Sequence, residues 1–143
     1  MEGIVVDSAG QRFANEFLYG ATMSKPLMEE RGGRGWVVMD AATWHKARRQ
    51  VRTQAAFFHV PQLSYLFSPA GHTKAGTLEE LGRRLGIDPA GLIRTAAEHD
   101  ASIAAGEPDA YGKADEYRHA LGHGPFYAYD ISPDPSRMFY PMA

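Results

Sequence analysis

Apolar positions near the start of the chain fall in short runs rather than in a helical period. Ile4-Val5-Val6 is β-branched, Ser8-Ala9-Gly10-Gln11 is a turn signal, and Arg12-Phe13-Ala14 resumes an extended pattern. Together they predict a β-hairpin with glycine in its turn. Residues 20–31 are helical in part, with Pro26 limiting the start, and Gly32-Gly33-Arg34-Gly35 breaks them off. Trp36-Val37-Val38-Met39 is apolar without alternation, which is the pattern of a strand covered on both faces. Asp40 can then cap a helix from Ala41 that carries Trp44, Ala47 and Val51 on one side.

Residues 53–75 hold no clear period. They are aromatic and proline-punctuated, with Phe57, Phe58, Pro61, Tyr65, Phe67 and Pro69, and read as a long packed loop. The clearest signal follows. Thr77-Leu78-Glu79-Glu80 is a capping box, Leu78, Leu81 and Leu85 make one apolar face, and Gly86 is a stop. Asp88-Pro89 then opens a second helix through Leu92, Ala96 and Ile103 to Gly106. Residues 77–106 therefore read as a helical hairpin with a short joint. Residues 107–124 are polar and glycine-punctuated, and Phe126 to Ile131 form a further strand candidate. The predicted class is α+β: short strands and β-hairpins packed with a helical hairpin, in a single domain over residues 1–143.

Composition narrows the function without specifying it. With 44% hydrophobic and 22% charged residues the chain is globular in kind, and its length suffices for a core without staples. The absence of cysteine excludes disulfides and thiolate metal sites and fits a cytoplasmic location. A net charge of −2 argues against a general attraction to nucleic acid. Lys46, Arg48, Arg49 and Arg52 cluster, but as the polar side of the helix that carries Trp44. No apolar run reaches the ~18 residues that a bilayer span requires. His119 and His123 have i,i+4 spacing, yet Gly122 and Gly124 make a helix there doubtful and no third ligand has motif spacing, so no metal site is expected.

Gly10-Gln11-Arg12-Phe13-Ala14-Asn15-Glu16 resembles the Gly-x-Arg-Phe-x-Asn-Glu hairpin of the FAD-dependent fumarate reductase/succinate dehydrogenase flavoproteins and 3-ketosteroid dehydrogenases. The likeness continues in the same order. It takes in Gly35 to Asp40, then Thr77-Leu78-Glu79-Glu80-Leu81 with Leu85 to Pro89. Glu107-Pro108-Asp109-Ala110-Tyr111-Gly112-Lys113 resembles an Asp-Pro-Asp-Phe-Gly-Arg loop, and Pro125-Phe126-Tyr127-Ala128 completes the series. Each match is weak alone, but five in order are specific.

The resemblance implies the substrate-covering (cap) domain of an FAD-dependent oxidoreductase, closest to the 3-ketosteroid dehydrogenases. Such an enzyme moves a hydride between flavin and a carbon beside a ketone. The chain holds no Gly-x-Gly-x-x-Gly after a strand. The FAD-binding domain is therefore expected to be a separate partner, and this chain alone is expected to bind no FAD, to be inactive and to self-associate through its uncovered surface. Tyr19, three residues after Glu16, matches a tyrosine that moves a proton beside the ketone in the ketosteroid dehydrogenases; the plain alternative is a tyrosine packing under the hairpin. Phe57, Phe58, Tyr65 and Phe67 suit a flat apolar ketone substrate such as a steroid. Arg12, Asn15 and Glu16 are expected at the domain junction, with Arg12 and Glu16 paired. Phe17 to Lys25 contains no arginine for a dicarboxylate, which favours the ketone over the alternative of a fumarate reductase. A stand-alone binding module without catalysis is the third reading.

Overall fold

The computed structural model describes residues 2–17, 20–54 and 64–133. Among the described residues four strands, β1 (Ile4–Asp7), β2 (Gly35–Asp40), β3 (Thr73–Ala75) and β4 (Phe126–Asp130), form one sheet in the order β1-β2-β4-β3. Every pairing is antiparallel, with Val38 opposite both Ile4 and Ala128. Among the described residues the helices longer than one turn are α1 (Gly20–Glu30), α2 (Ala41–Gln54), α3 (Leu78–Leu85) and α4 (Pro89–Ala104). The α+β class expected from the sequence holds.

Strand alternation sorts the core into two sides. Ile4, Val6, Trp36, Val38, Phe126 and Ala128 point to α3 and α4, where Leu81, Leu92 and Ala96 meet them. Val5, Val37, Met39 and Tyr127 point the other way, towards Phe13 and Leu27 near β1 and Trp44 of α2 near β4. β2 is buried along its whole length, as an apolar run without alternation requires.

Local signals account for the helices. Asp40 accepts the Thr43 amide at 2.9 Å and opens α2. Thr77 accepts the Glu80 amide while the Glu80 carboxylate takes the Gly76 amide, and Gly86 closes α3 in the left-handed region. Asp88 accepts the Ala90 and Gly91 amides ahead of Pro89. The turn of the N-terminal hairpin lies directly on this joint. Asp88 donates its amide to Ser8 O at 2.9 Å, and a Cβ on Gly91 would come within 2.0 Å of Ala9 O.

Three expectations are corrected. Pro26 lies inside α1 rather than limiting its start. Leu27 beside it is buried against Val5 and Phe13, and this packing stabilises the helix despite the lost amide. Arg12 to Ala14 do not continue as a strand: the return arm makes a single bridge, Val6 to Arg12, because the Arg12 side chain turns into a charge cluster. Within the presumed loop of residues 53–75, Thr73–Ala75 is an edge strand on β4, too short to carry an alternation signal.

Candidate functional site

The Arg-Phe-x-Asn-Glu segment leaves the hairpin over the open edge of β1. Glu16 is fully buried there, and its Oε1 accepts the Val5 amide at 2.9 Å, an edge donor that no strand serves. The same oxygen accepts Arg12 Nε at 2.7 Å, and Oε2 accepts Arg12 Nη2 at 2.9 Å, so the expected pair is bidentate. Lys113, also fully buried, brings Nζ to 3.1 Å from Glu16 Oε2 and donates to Gly3 O at 2.8 Å. Asp109 takes the far side of the guanidinium, with Arg12 Nη1 at 2.5 Å from Oδ1. Its Oδ2 accepts the amides of Tyr111 and Lys113. Arg118 lies 3.6 Å from Asp109 and donates to Glu107 O and Ser102 Oγ.

The electrostatics follow from burial and partners. Burial alone would raise the Glu16 carboxyl, but the Arg12 hydrogen bonds and the Lys113 charge outweigh it and hold Glu16 below its ordinary value. Asp109 is lowered to about 2: burial opposes the shift, and Arg12 with the loop amides overcomes it. Burial lowers Lys113, with Glu16 pulling in the opposite direction. The nearby His99 is lowered, first by burial, and lies 3.1 Å from His119 O.

This cluster sets the chain's exit from the hairpin. Asn15 is buried and its Oδ1 accepts the Phe17 amide at 2.9 Å, closing an Asx turn. The Phe17 ring stacks on Tyr117 with centroids 3.9 Å apart. Tyr19 lies outside the described residues, between Phe17 and the start of α1 at Gly20.

Of the four aromatic residues expected at the substrate, Phe57 and Phe58 also lie outside the described residues. Tyr65 and Phe67 are brought together on a cavity of about 510 Å³, with Val37, Met39, Tyr129 and Ile131 on its floor. Tyr65 is half-exposed and donates to Ala70 O at 3.2 Å. Phe67 meets Trp44 edge-on, Trp44 stacks on Tyr127 at 4.4 Å and donates Nε1 to Tyr129 Oη at 2.9 Å. Burial raises the Tyr129 phenol against that hydrogen bond. Ile131 packs on both the Phe13 and the Trp44 clusters, so hairpin and cavity share one side of the sheet.

Sequence reasoning assigned no role to Asp109, Lys113 or Arg118. They belong to a polar loop, and no spacing rule pairs them with residues about a hundred positions away. The loop resemblance at Glu107–Lys113 was the one available signal. Of the basic residues of α2, Lys46 pairs with Glu2 at 2.7 Å and Arg48 lies over the Trp44 ring. His119 and His123 are not on a helix, and among the described residues no three metal-ligating side chains converge.

The resemblance implies FAD, and the described residues do not fit it. A dinucleotide cradle needs a glycine-rich turn between a parallel strand and its crossover helix. The sheet here is antiparallel in every pairing. Among the described residues no helix is long and apolar enough to cross a membrane.

No protein-family model matches the chain. It is 32% identical over 149 residues to the 3-oxo-5-alpha-steroid 4-dehydrogenase of Comamonas testosteroni, covering 99% of this chain and 26% of that protein. It is 34% identical over 152 residues to the 4-oxocyclohex-2-ene-1-carboxylate 5-dehydrogenase of Sinomonas cyclohexanicum, covering 90% of this chain and 24% of that one. The chain thus spans about a quarter of the length of the curated relatives it matches. Its fold matches a 3-ketosteroid-Δ4-(5α)-dehydrogenase from Rhodococcus jostii RHA1 with a TM-score of 0.70 at 22% identity, over 92% of this chain and 25% of that one. A solution structure of a fumarate reductase flavoprotein subunit from Lactobacillus plantarum gives 0.68 at 22% identity, over 91% of this chain and 82% of that one. The chain is thus similar over nearly its whole length to one domain-sized region of larger dehydrogenases that act beside a ring ketone, and it shares the fold of the matching region in a 3-ketosteroid dehydrogenase and a fumarate reductase flavoprotein.

Proposed function

We propose that this chain is the substrate-covering domain of a cytoplasmic FAD-dependent dehydrogenase that forms or reduces a C=C bond beside a ketone in a ring. One observation carries the reading. Two relatives above 30% identity are each named for an oxo carbon and dehydrogenation at the next ring position, and the likeness runs over nearly the whole chain. The flavin, held by a partner domain, supplies the redox chemistry. This chain covers the substrate, excludes water and presents Tyr19.

A phenol with an ordinary pKa near 10 exchanges a proton with a ring carbon only in a site that stabilises its phenolate. Tyr19 follows the fixed Asn15-Glu16-Phe17 turn by two residues, which suits a group that must be held accurately. Phe57, Phe58, Tyr65 and Phe67 form the apolar wall for the ring system, with the 510 Å³ cavity as the part of that wall that is described. The absence of arginine from Phe17 to Lys25 favours a ketone over a dicarboxylate.

The test uses the complete enzyme with its flavin domain, a 3-oxo steroid and an artificial electron acceptor. Tyr19→Phe should lower turnover by ~10²-fold or more at nearly unchanged stability. Turnover near the parent value would remove Tyr19 from the chemistry. A parent enzyme that ignores oxo-ring substrates and reduces fumarate would reassign the whole reading.

A further inference from the structure

The cavity beside Tyr65 and Phe67 has an apolar floor and, in its wall, a phenol whose oxygen is already fixed. We infer that Tyr129 is a substrate-binding residue, whose hydroxyl donates a hydrogen bond to the carbonyl oxygen of a neutral cyclic ketone held in this cavity. The inference deepens the reading of this domain as the cover over a ring ketone and rests on it.

An indole N–H can only donate. The 2.9 Å contact therefore makes Tyr129 Oη the acceptor of the Trp44 hydrogen bond and leaves the phenol's own proton for another partner. Among the described residues none takes it. Burial raises the phenol above its ordinary value, against the Trp44 hydrogen bond, so the proton is retained at neutral pH. Accepting one hydrogen bond also strengthens the phenol as a donor for a second. The group is held in place as well. Tyr129 lies in β4 opposite Val37, and its ring is 5.9 Å from that of His72. Trp44, which holds its oxygen, is stacked on Tyr127 and met edge-on by Phe67. A donor fixed in this way loses little freedom when a ligand arrives.

The surroundings select the ligand. The cavity measures about 510 Å³, within the range of small-molecule sites. Val37, Met39, Phe67 and Ile131 offer it apolar side chains, which suit a ring system. Asp130 also lines it, and among the described lining residues there is no lysine or arginine. A carboxylate ligand would meet a like charge and no guanidinium or ammonium. A ketone needs only one donor for its oxygen, and without one its burial is costly. Of the other hydroxyls on the wall, that of Tyr65 is engaged with Ala70 O, and Thr73 stands on the edge strand β3.

The experiment measures equilibrium binding to the complete enzyme with its flavin reduced, so that a saturated 3-oxo steroid binds without turnover. The two ligands are that ketone and its 3-deoxy counterpart. Tyr129→Phe should weaken the ketone by about 3–10-fold, the worth of one neutral hydrogen bond, and the deoxy ligand by less than ~2-fold. Ala47→Phe, which narrows the same cavity, should weaken both. Equal losses of the two ligands in Tyr129→Phe would reduce the residue to packing and overturn the inference. So would parent-like binding of the ketone by either variant, or a ketone-specific loss that appears in Thr73→Val and not in Tyr129→Phe. These outcomes leave the reading of the domain standing, because the parent still takes the ketone. A parent enzyme that binds no oxo-ring ligand and reduces fumarate removes that reading and this inference with it. If Tyr129→Phe does not fold, Trp44→Phe combined with it leaves no indole without an acceptor and takes its place under the same criteria.

Discussion

The helical hairpin α3–α4 and the charge cluster under Asn15-Glu16 are built by opposite means. The hairpin is assembled from contacts between near neighbours: Thr77 with Glu80, Asp88 with Ala90, Arg83 with Glu79. Its long-range commitment is mainly apolar and non-directional, through Leu81 and Leu92, with a few neutral or singly charged hydrogen bonds such as Asp88 N to Ser8 O at the joint. The charge cluster joins Gly3, Val5, Arg12 and Glu16 to Asp109 and Lys113, about a hundred positions apart, with every bond directional. Apolar packing tolerates small errors of placement. A buried ion network does not, since each charge left without its partner pays the full cost of desolvation. The first region is suited to holding a fold and the second to holding a geometry.

The largest expected effect tests that contrast. Glu16→Gln keeps the shape and removes the charge on which Arg12 and Lys113 converge. Breaking a buried pair in this way should cost about 3–5 kcal/mol, read from urea denaturation. A loss below about 1 kcal/mol would make the cluster no more demanding than a surface ion pair and would erase the distinction.

The same contrast decides what was legible in the sequence. The helical hairpin was readable because caps, apolar spacing and glycine stops all act within a few residues. β2 was readable because its burial on both faces leaves no alternation. The Arg12–Glu16 pair was readable from one motif. Asp109 and Lys113 were present in a resembling loop, but their role was not legible: nothing local marks a lysine in a polar, glycine-punctuated segment as buried. β3 escaped notice because three residues cannot display a period, and Pro26 misled because tertiary packing of Leu27 overrides propensity. Tyr65 and Phe67, singled out by aromatic content alone, line one cavity, but Tyr129, which also lines it and takes the Trp44 indole hydrogen bond, carried only a strand signal.

On the other side of the comparison, Leu81 is fully buried between Leu78, Leu85 and the sheet. Leu81→Ala should cost about 2–5 kcal/mol through lost burial and a cavity. A change below about 0.5 kcal/mol in the same melts would mean that the helical face contributes little to the core.

Acid sharpens the contrast without mutation. The Asp109 carboxyl is held at about 2 against an ordinary value of 3.8, and Glu16 is also held low. Below the ordinary values the unfolded chain binds protons that the folded chain does not. Their contribution is therefore complete above about pH 4.5 and is lost as pH falls towards 2. His99, lowered by burial, adds a decline of the same sign starting below its ordinary 6.5. Asp109→Asn should flatten the stability profile between pH 4 and 2, whereas Leu81→Ala should shift the whole profile without changing its slope. Parallel profiles for parent and Asp109→Asn would show that the loop carboxylate is not coupled to folding.

The smallest effect belongs to the most local device. Thr77 accepts the Glu80 amide at 3.1 Å, and Glu80 Oε2 in return accepts the Gly76 amide at 3.0 Å. Thr77→Ala frees one amide at the start of α3 but does not bury it, because both bonds lie at the surface and water can replace the lost acceptor. The expected cost is about 1 kcal/mol, the usual value of an N-cap, and Thr77→Ser should recover most of it because the hydroxyl is retained. Leu81 remains buried in either variant, so α3 should keep its place and only its first turn should fray, visible as faster amide exchange at Glu79 and Glu80. If Thr77→Ala instead cost as much as Glu16→Gln, local capping would be holding the fold as tightly as the long-range charges do. The division between a tolerant hairpin and an exacting charge cluster would then have to be abandoned.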